Sequence, residues 1–161
     1  MNFEIRLDEG DLQRTIQRMT KYNNNARQGC QREVSHSALS IQRMARENLR
    51  ASGAIATGRL RSSVNIRFTT DRLGAVIGSN VNYAGDVEFG QKPGHWPNVG
   101  DLVRWVRKKI TSNVKASRRI AYLVGRKIFQ RGTEAKPYLM PAAEKIWPVF
   151  KRNIYRVLKM S

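Results

Sequence analysis

One apolar seam constrains this chain more than any other feature. Leu12, Ile16, Met19, Tyr22, Ala26, Cys30, Val34, Ala38, Ile41, Ala45 and Leu49 recur at spacings of three or four, the period of one face of an α-helix. The spacing predicts a long helix over about residues 9–50. At 1.5 Å per residue the seam is about 55–60 Å long. A rod of that length outreaches an ordinary domain helix, so part of it is expected to lie on a partner or to protrude. Asn23, Asn24, Asn25 and Gly29 are weak helix formers inside it. A bend or frayed turn is expected there, with two helices as the alternative to one. Ala26, Cys30, Ala38 and Ala45 keep the second half of the seam narrow, which suits close packing.

Shorter patterns flank the rod. Phe3, Ile5 and Leu7 alternate with Glu4 and Arg6 and predict a half-buried strand, with Asp8 as a helix N-cap. Residues 51–61 read as a loop. Ser62 to Thr69 and Ala75 to Val81 read as two strands of a hairpin turning at Asp71-Arg72-Leu73-Gly74. Tyr83 to Gly90 reads as a short helical turn closed by glycine, and Gln91 to Gly100 as a loop carrying His95 and Trp96. Three further helical patterns follow: one from Asp101 with Leu102, Val103, Val106 and Ile110 on one face, one over Arg118 to Arg131, and one over Met140 to Met160. Thr111 to Lys115 separates the first two, and Pro148 should kink the third or split off its first turn. Trp105 and Trp147, at helical spacing, are expected in the core. The class is α+β: a long N-terminal helix, a small mostly antiparallel sheet with a hairpin at about 62–81, and a helical C-terminal part at about 100–160. One domain spans 1–161.

Charge separates the chain more sharply than hydropathy. The net charge is +18, and residues 99–161 hold sixteen Lys and Arg against three Asp and Glu. A positive field of this kind favours polyanions: nucleic acid, an acidic membrane surface or an acidic protein partner. It also repels copies of the chain unless something neutralises it. Arg118, Arg119, Arg126, Lys127, Lys151, Arg152 and Arg156 are the candidate interface or DNA-facing residues. No run of 18 apolar residues spans a bilayer. The N-terminus lacks the layout of a secretory signal. The single Cys30 excludes an internal disulfide framework and fits a reducing cytosol.

Little here carries reaction chemistry. Two histidines and one cysteine do not supply the three or four ligands of a zinc site. Thr57-Gly58-Arg59-Leu60-Arg61-Ser62-Ser63 is poor in glycine for a phosphate loop and leads into a strand. Asp86 and Glu88 lack a companion histidine or nucleophile and read as a structural or intersubunit ion pair rather than an acid–base pair. No catalytic residue, metal or cofactor is expected. Nor does a zinc finger, helix-turn-helix or RNA-recognition signature accompany the basic helices.

The stretch Gly132 to Ala143 joins the last two helices. Gly132 closes one, Pro137 blocks its continuation, and Pro141 falls in the first turn of the next. Tyr138, Leu139 and Met140 form an apolar plug between them. Its residues complete an ordered set. Thr57-Gly58-Arg59-Leu60-Arg61-Ser62-Ser63 leads from the long helix into the hairpin. Tyr83-Ala84 and Val87-Glu88-Phe89-Gly90 follow, then Ile128, Gly132-Thr133, Ala135, Pro137-Tyr138-Leu139 and Pro141-Ala142. In this order they resemble the tail-completion (neck, or head–tail joining) family of tailed bacteriophages, relatives of the lambda minor tail protein Z. The resemblance covers most of residues 10–158. Tyr138 stands where that family often has phenylalanine, and the Gln91–Asn98 loop and Trp105 helix fall in a region of variable length. The resemblance implies a structural virion protein without catalytic residues, made in the host cytoplasm. It would form a sixfold or twelvefold homo-oligomeric ring at the head–tail junction, contacting head-closure or adaptor proteins and a tail terminator or tail tube. Double-stranded DNA would pass through its channel without sequence-specific contact, and no membrane is involved. The main alternative is a basic nucleic-acid-binding protein acting as a monomer or dimer.

Overall fold

A computed structural model of the chain describes residues 9–53 and 58–160. The strand expected at Phe3 to Leu7 and the cap at Asp8 lie outside them. The long seam forms a single helix, α1 (Glu9–Ala51). It runs through Asn23, Asn24, Asn25 and Gly29 without interruption, so one helix is found, with no frayed turn and not the alternative of two. The reason lies in packing, since tertiary burial outweighs a few tenths of a kcal/mol of propensity per residue. A Cβ added at Gly29 would strike the Val157 side chain, so the weak former sits where another helix packs closely against it.

That other helix is α6 (Met140–Met160). It runs antiparallel to α1, as three pairings show in order along the rod. Tyr22 Oη donates to the Leu158 carbonyl at 2.9 Å, Asn153 Nδ2 donates to Glu33 at 3.1 Å, and Asn48 Nδ2 donates to the Tyr138 carbonyl at 3.0 Å. Ala26, Val34, Ala38, Ala45 and Leu49 are buried. The small-residue seam is therefore used inside the chain. Only the start of α1 runs past the end of α6: residues 9–21 extend about 20 Å beyond the Tyr22–Leu158 contact. Met19 is 69% exposed there. Helix α6 also continues through Pro148 without a break.

The segment between the helices makes two local corrections. Gly58, at φ 76°, starts a short helix, α2 (Arg59–Ser63), which takes Ser62 and Ser63 out of the expected strand. Ser62 and Ser63 Oγ donate back to the Arg59 and Leu60 carbonyls, at 3.0 and 2.8 Å, which holds the turn. The hairpin that follows is shorter than its pattern: β1 (Asn65–Phe68) and β2 (Ala75–Gly78) pair antiparallel with Ile66 opposite Ile77. At its tip, Thr69 Oγ1 and the Leu73 N–H donate to Asp71 Oδ1, and these bonds hold the Asp71 carboxyl below the usual range. Gln31 of α1 donates to the Asp71 carbonyl at 2.8 Å and ties the tip to the rod.

Helix α3 (Ala84–Phe89) ends at Gly90 as expected. Helices α4 (Val99–Lys109) and α5 (Val114–Arg131) pack against each other. Both begin earlier than expected, α4 by two residues and α5 by four. Asn98 Oδ1 accepts from the Asp101 N–H at 3.2 Å, and Asn113 Oδ1 accepts from the Ala116 N–H at 3.1 Å. Each asparagine is an N-cap standing in what reads as a breaker stretch. Ser117, Ala121 and Gly125 form the buried stripe of α5. Trp96 lies over it, with ring centroids 5.7 Å from both Tyr122 and Phe129, which anchors the Gln91–Asn98 loop.

The principal core forms where the C-terminal half of α1 meets everything else. Ala45, Leu49, Leu60, Val64, Val81, Tyr138 and Ala142 are its buried members. Trp147 does not join it: it is 56% exposed on the outward side of α6, stacked near Phe150 with Lys151 Nζ 5.8 Å from its ring. Ile110, which shares the apolar face of α4, is exposed as well, as is Leu158 on α6. A helical period marks faces, but a face is buried only where a neighbouring element covers it.

Candidate functional site

The three ordered patches meet at one place. Leu60 comes from the first. Tyr83, Ala84 and Glu88 come from the second, and Tyr138 and Ala142 from the third. Leu60, Tyr138 and Ala142 are buried in the principal core, with Tyr83, Ala84, Val87 and Leu139 packed on it. Gly58 starts α2 beside them. Thr57 lies outside the described residues.

Glu88 organises this junction, in a role that differs from the expected ion pair. It is 6% exposed. Its partners are three consecutive main-chain N–H groups at the start of α6. Tyr138 and Leu139 donate to Oε2 at 2.8 and 3.0 Å, and Met140 donates to Oε1 at 2.7 Å. The first N–H groups of a helix have no partner within it. Here Glu88 takes those of Met140 and the two residues before it, and Pro141 has none to satisfy. The negative charge also lies against the positive end of the helix dipole. A carboxylate from α3 therefore caps α6 across about fifty residues of sequence, a separation no local capping rule reads. Asp86 stays exposed and takes no part.

The chain on either side is closed by a pair of glycines. Gln91 and Thr133 form an isolated antiparallel bridge, with N–H to carbonyl distances of 3.1 and 2.8 Å. Gly90 (φ 75°, ψ 167°) and Gly132 (φ 72°, ψ −165°) flank it. Both occupy a region open essentially to glycine alone. The Gly132 N–H closes α5 on the Ile128 carbonyl at 2.7 Å. A Cβ on Gly132 would fall on the Gln91 carbonyl oxygen, and one on Gly90 would lie 2.6 Å from the Thr133 carbonyl oxygen. The Lys136 N–H then donates to the Val87 carbonyl at 2.7 Å. Thr133 and Pro137 are exposed, while Tyr138 turns in and is 3% exposed. The corner is thus a strap bonded to α3 on one side and capped by it on the other.

Burial, and then the nearby Glu88 charge, push the Tyr138 phenol above its ordinary value of 10.0. The folded chain keeps that proton to higher pH than the unfolded chain does. The associated stability is fully present below about pH 10 and is lost as pH rises through the folded value. Tyr138→Phe is expected to move the onset of alkaline unfolding to higher pH, followed by circular dichroism. An unchanged onset would show that the phenol plays no part.

Arg118, Arg119, Arg126 and Lys127 are exposed on α5, and Lys151, Arg152 and Arg156 on α6. These two helices have different packing partners, α4 and α1. The cations therefore do not form one cluster built by a shared helix pair. Residues 99–131 carry ten Lys and Arg against Asp101, which pairs with Arg104 and lies 3.7 Å from Arg59. Exposed Tyr122 and Phe129 lie among these cations on α5. None of the described helices is long and apolar enough to cross a membrane. Comparison with protein-family models, with curated proteins and with solved structures returns no match.

Proposed function

We propose that this protein is a structural, non-enzymatic component of the neck of a tailed bacteriophage. It assembles as a homo-oligomeric ring at the head–tail junction, joins tail to capsid between head-closure and tail-terminator or tail-tube proteins, and lets DNA pass through its channel. One observation carries the reading: the three separate patches that resemble the neck family converge on a single capped junction at the base of α6. An ordered set of motifs with a common structural purpose is stronger support than any patch alone. The overhanging start of α1 and the unneutralised charge supply surface for neighbours of both kinds, protein and DNA. Cryo-electron microscopy of the parent particle tests the proposal. Density for this chain in a ring at the junction is expected, and its placement anywhere else would end the reading.

The basic α4–α5 pair favours the alternative, a nucleic-acid-binding protein working as a monomer or dimer. Counterion release makes the discrimination direct. A neck ring is expected to bind duplex DNA weakly and without sequence preference, with affinity falling steeply between about 50 and 200 mM salt. Tight binding at physiological salt by a monomer or dimer would support the alternative instead.

A further inference from the structure

The outer side of α1, near its C-terminal end, carries a groove of about 780 Å³ lined by Arg43, Arg46 and Arg50 of α1 and by Arg61 of α2. The three α1 arginines stand at i, i+3 and i+7, on one helix face. None of the four forms an ion pair with a described residue. Arg46 donates one Nη to the Val64 carbonyl at 2.8 Å, and its Nε is buried with no hydrogen-bond partner. Under-satisfied guanidinium of this kind calls for an anionic partner. Glu47 is the only acid in the lining, and Leu39, 56% exposed, supplies an apolar contact at one end.

The chemistry of the groove narrows its occupant. No Phe, Tyr or Trp lines it, so it offers no platform on which the bases of a single strand would stack. A groove of this size accommodates a peptide segment. Carboxylates interleaved with apolar side chains match four arginines and a leucine. The chain itself holds such a segment. Residues 3–12 contain Glu4, Asp8, Glu9 and Asp11 against Arg6 alone, alternating with Phe3, Ile5, Leu7 and Leu12. They are net negative in a chain of +18.

The segment cannot serve its own groove. Glu9 opens α1, and His36, at the near end of the groove, is about 40 Å further along the same helix. The residues from Glu4 to Glu9 span at most about 18 Å when fully extended. We infer that the arginine groove at the C-terminal end of α1 receives the acidic N-terminal segment of a second copy of this chain. Such a contact is heterologous, head to tail, and repeats from copy to copy until a ring closes. It also places neutralising charge between subunits that otherwise repel. This inference rests on the ring reading above and supplies its intersubunit contact.

Paired charge reversals test it. Arg43→Glu with Arg50→Glu, and separately Glu9→Lys with Asp11→Lys, are purified as full chains beside the wild type, with circular dichroism confirming equal helix content. Mass is measured by light scattering after size exclusion. Wild type is expected to self-associate. Each variant alone is expected to do so at least about tenfold more weakly, because like charges then face each other across the contact. An equimolar mixture of the two is expected to recover the wild-type mass, since each end then finds a complementary groove. A wild-type chain that forms rings while both variants also form them would overturn the groove contact and leave the ring reading standing. A wild-type chain that stays monomeric at all concentrations would overturn both. Groove variants that keep the ring but lose capture of a neighbouring neck protein would assign the groove to that neighbour and overturn the inference.

Discussion

Glu88→Ala is expected to lower the stability of the folded chain by roughly 3–5 kcal/mol. The substitution removes both oxygens that accept the Tyr138, Leu139 and Met140 N–H groups. Each buried donor left without an acceptor costs about 1–3 kcal/mol, and the favourable charge at the helix N-terminus, worth up to about 2 kcal/mol when partly buried, goes with it. Some of the cost is recovered where water reaches the freed groups. Glu88→Gln keeps one accepting oxygen and places an amide donor where an acceptor is needed, so a smaller loss of about 1–2 kcal/mol is expected. Urea unfolding of the two variants beside wild type measures both. Equal midpoints for Glu88→Ala and wild type would mean that the cap contributes nothing. The loss is expected to reach assembly too, since α6 and its cations are oriented by this junction.

Gly132→Val is expected to cost about 3–5 kcal/mol. The backbone conformation, φ 72° and ψ −165°, is strained for any L side chain by about 1–3 kcal/mol. The added Cβ meets the Gln91 carbonyl oxygen, which cannot move without breaking the bridge to Thr133. Overpacking of that kind adds about 1–3 kcal/mol. For a domain of this length the fall in melting temperature is about 6–20 °C. Calorimetry on Gly132→Val, with Gly53→Ala as a comparison, separates space from conformation. Gly53 has φ 64° but nothing within 4 Å of its added Cβ, so only the conformational cost is expected there. A Gly132 variant no worse than the Gly53 variant would show that the strap is not closely packed.

Much of the local structure is legible because its causes are local. The seam from Leu12 to Leu49 predicts one rod, and the rod is found, unbroken where weak formers made a break plausible. The hairpin turn at Asp71 to Gly74 and the glycine ends of α3 and α5 follow from residue chemistry at single positions. The errors are local as well. Asn98 and Asn113 are caps that read as loop residues, and Ser62 and Ser63 close a helical turn although they alternate like a strand. Short polar side chains serve both purposes, and only the backbone around them decides between caps and turns.

The candidate site was legible as a set of positions but not as a mechanism. Gly132, Tyr138 and Pro141 announce a corner, and Glu88 stands out as an acid in a basic chain. That Glu88 meets the corner is a long-range contact between segments fifty residues apart. The four groove arginines show a similar divide: three share a face by helical spacing, but Arg61 joins them only because α2 folds back against α1. Trp147 marks the limit from the other side. Its spacing places it on a helix face, yet that face has no covering element among the described residues.

Sequence alone determined the helical rod, the charge held by the C-terminal third, and the glycines at which the backbone must turn. Those properties depend on period, composition and the steric freedom of one residue. Tertiary structure decided which acid caps α6, which face of that helix stays open, and that the three patches form one junction. Each of these depends on where distant segments come to lie, because a buried N–H takes its acceptor from whatever packing brings within reach.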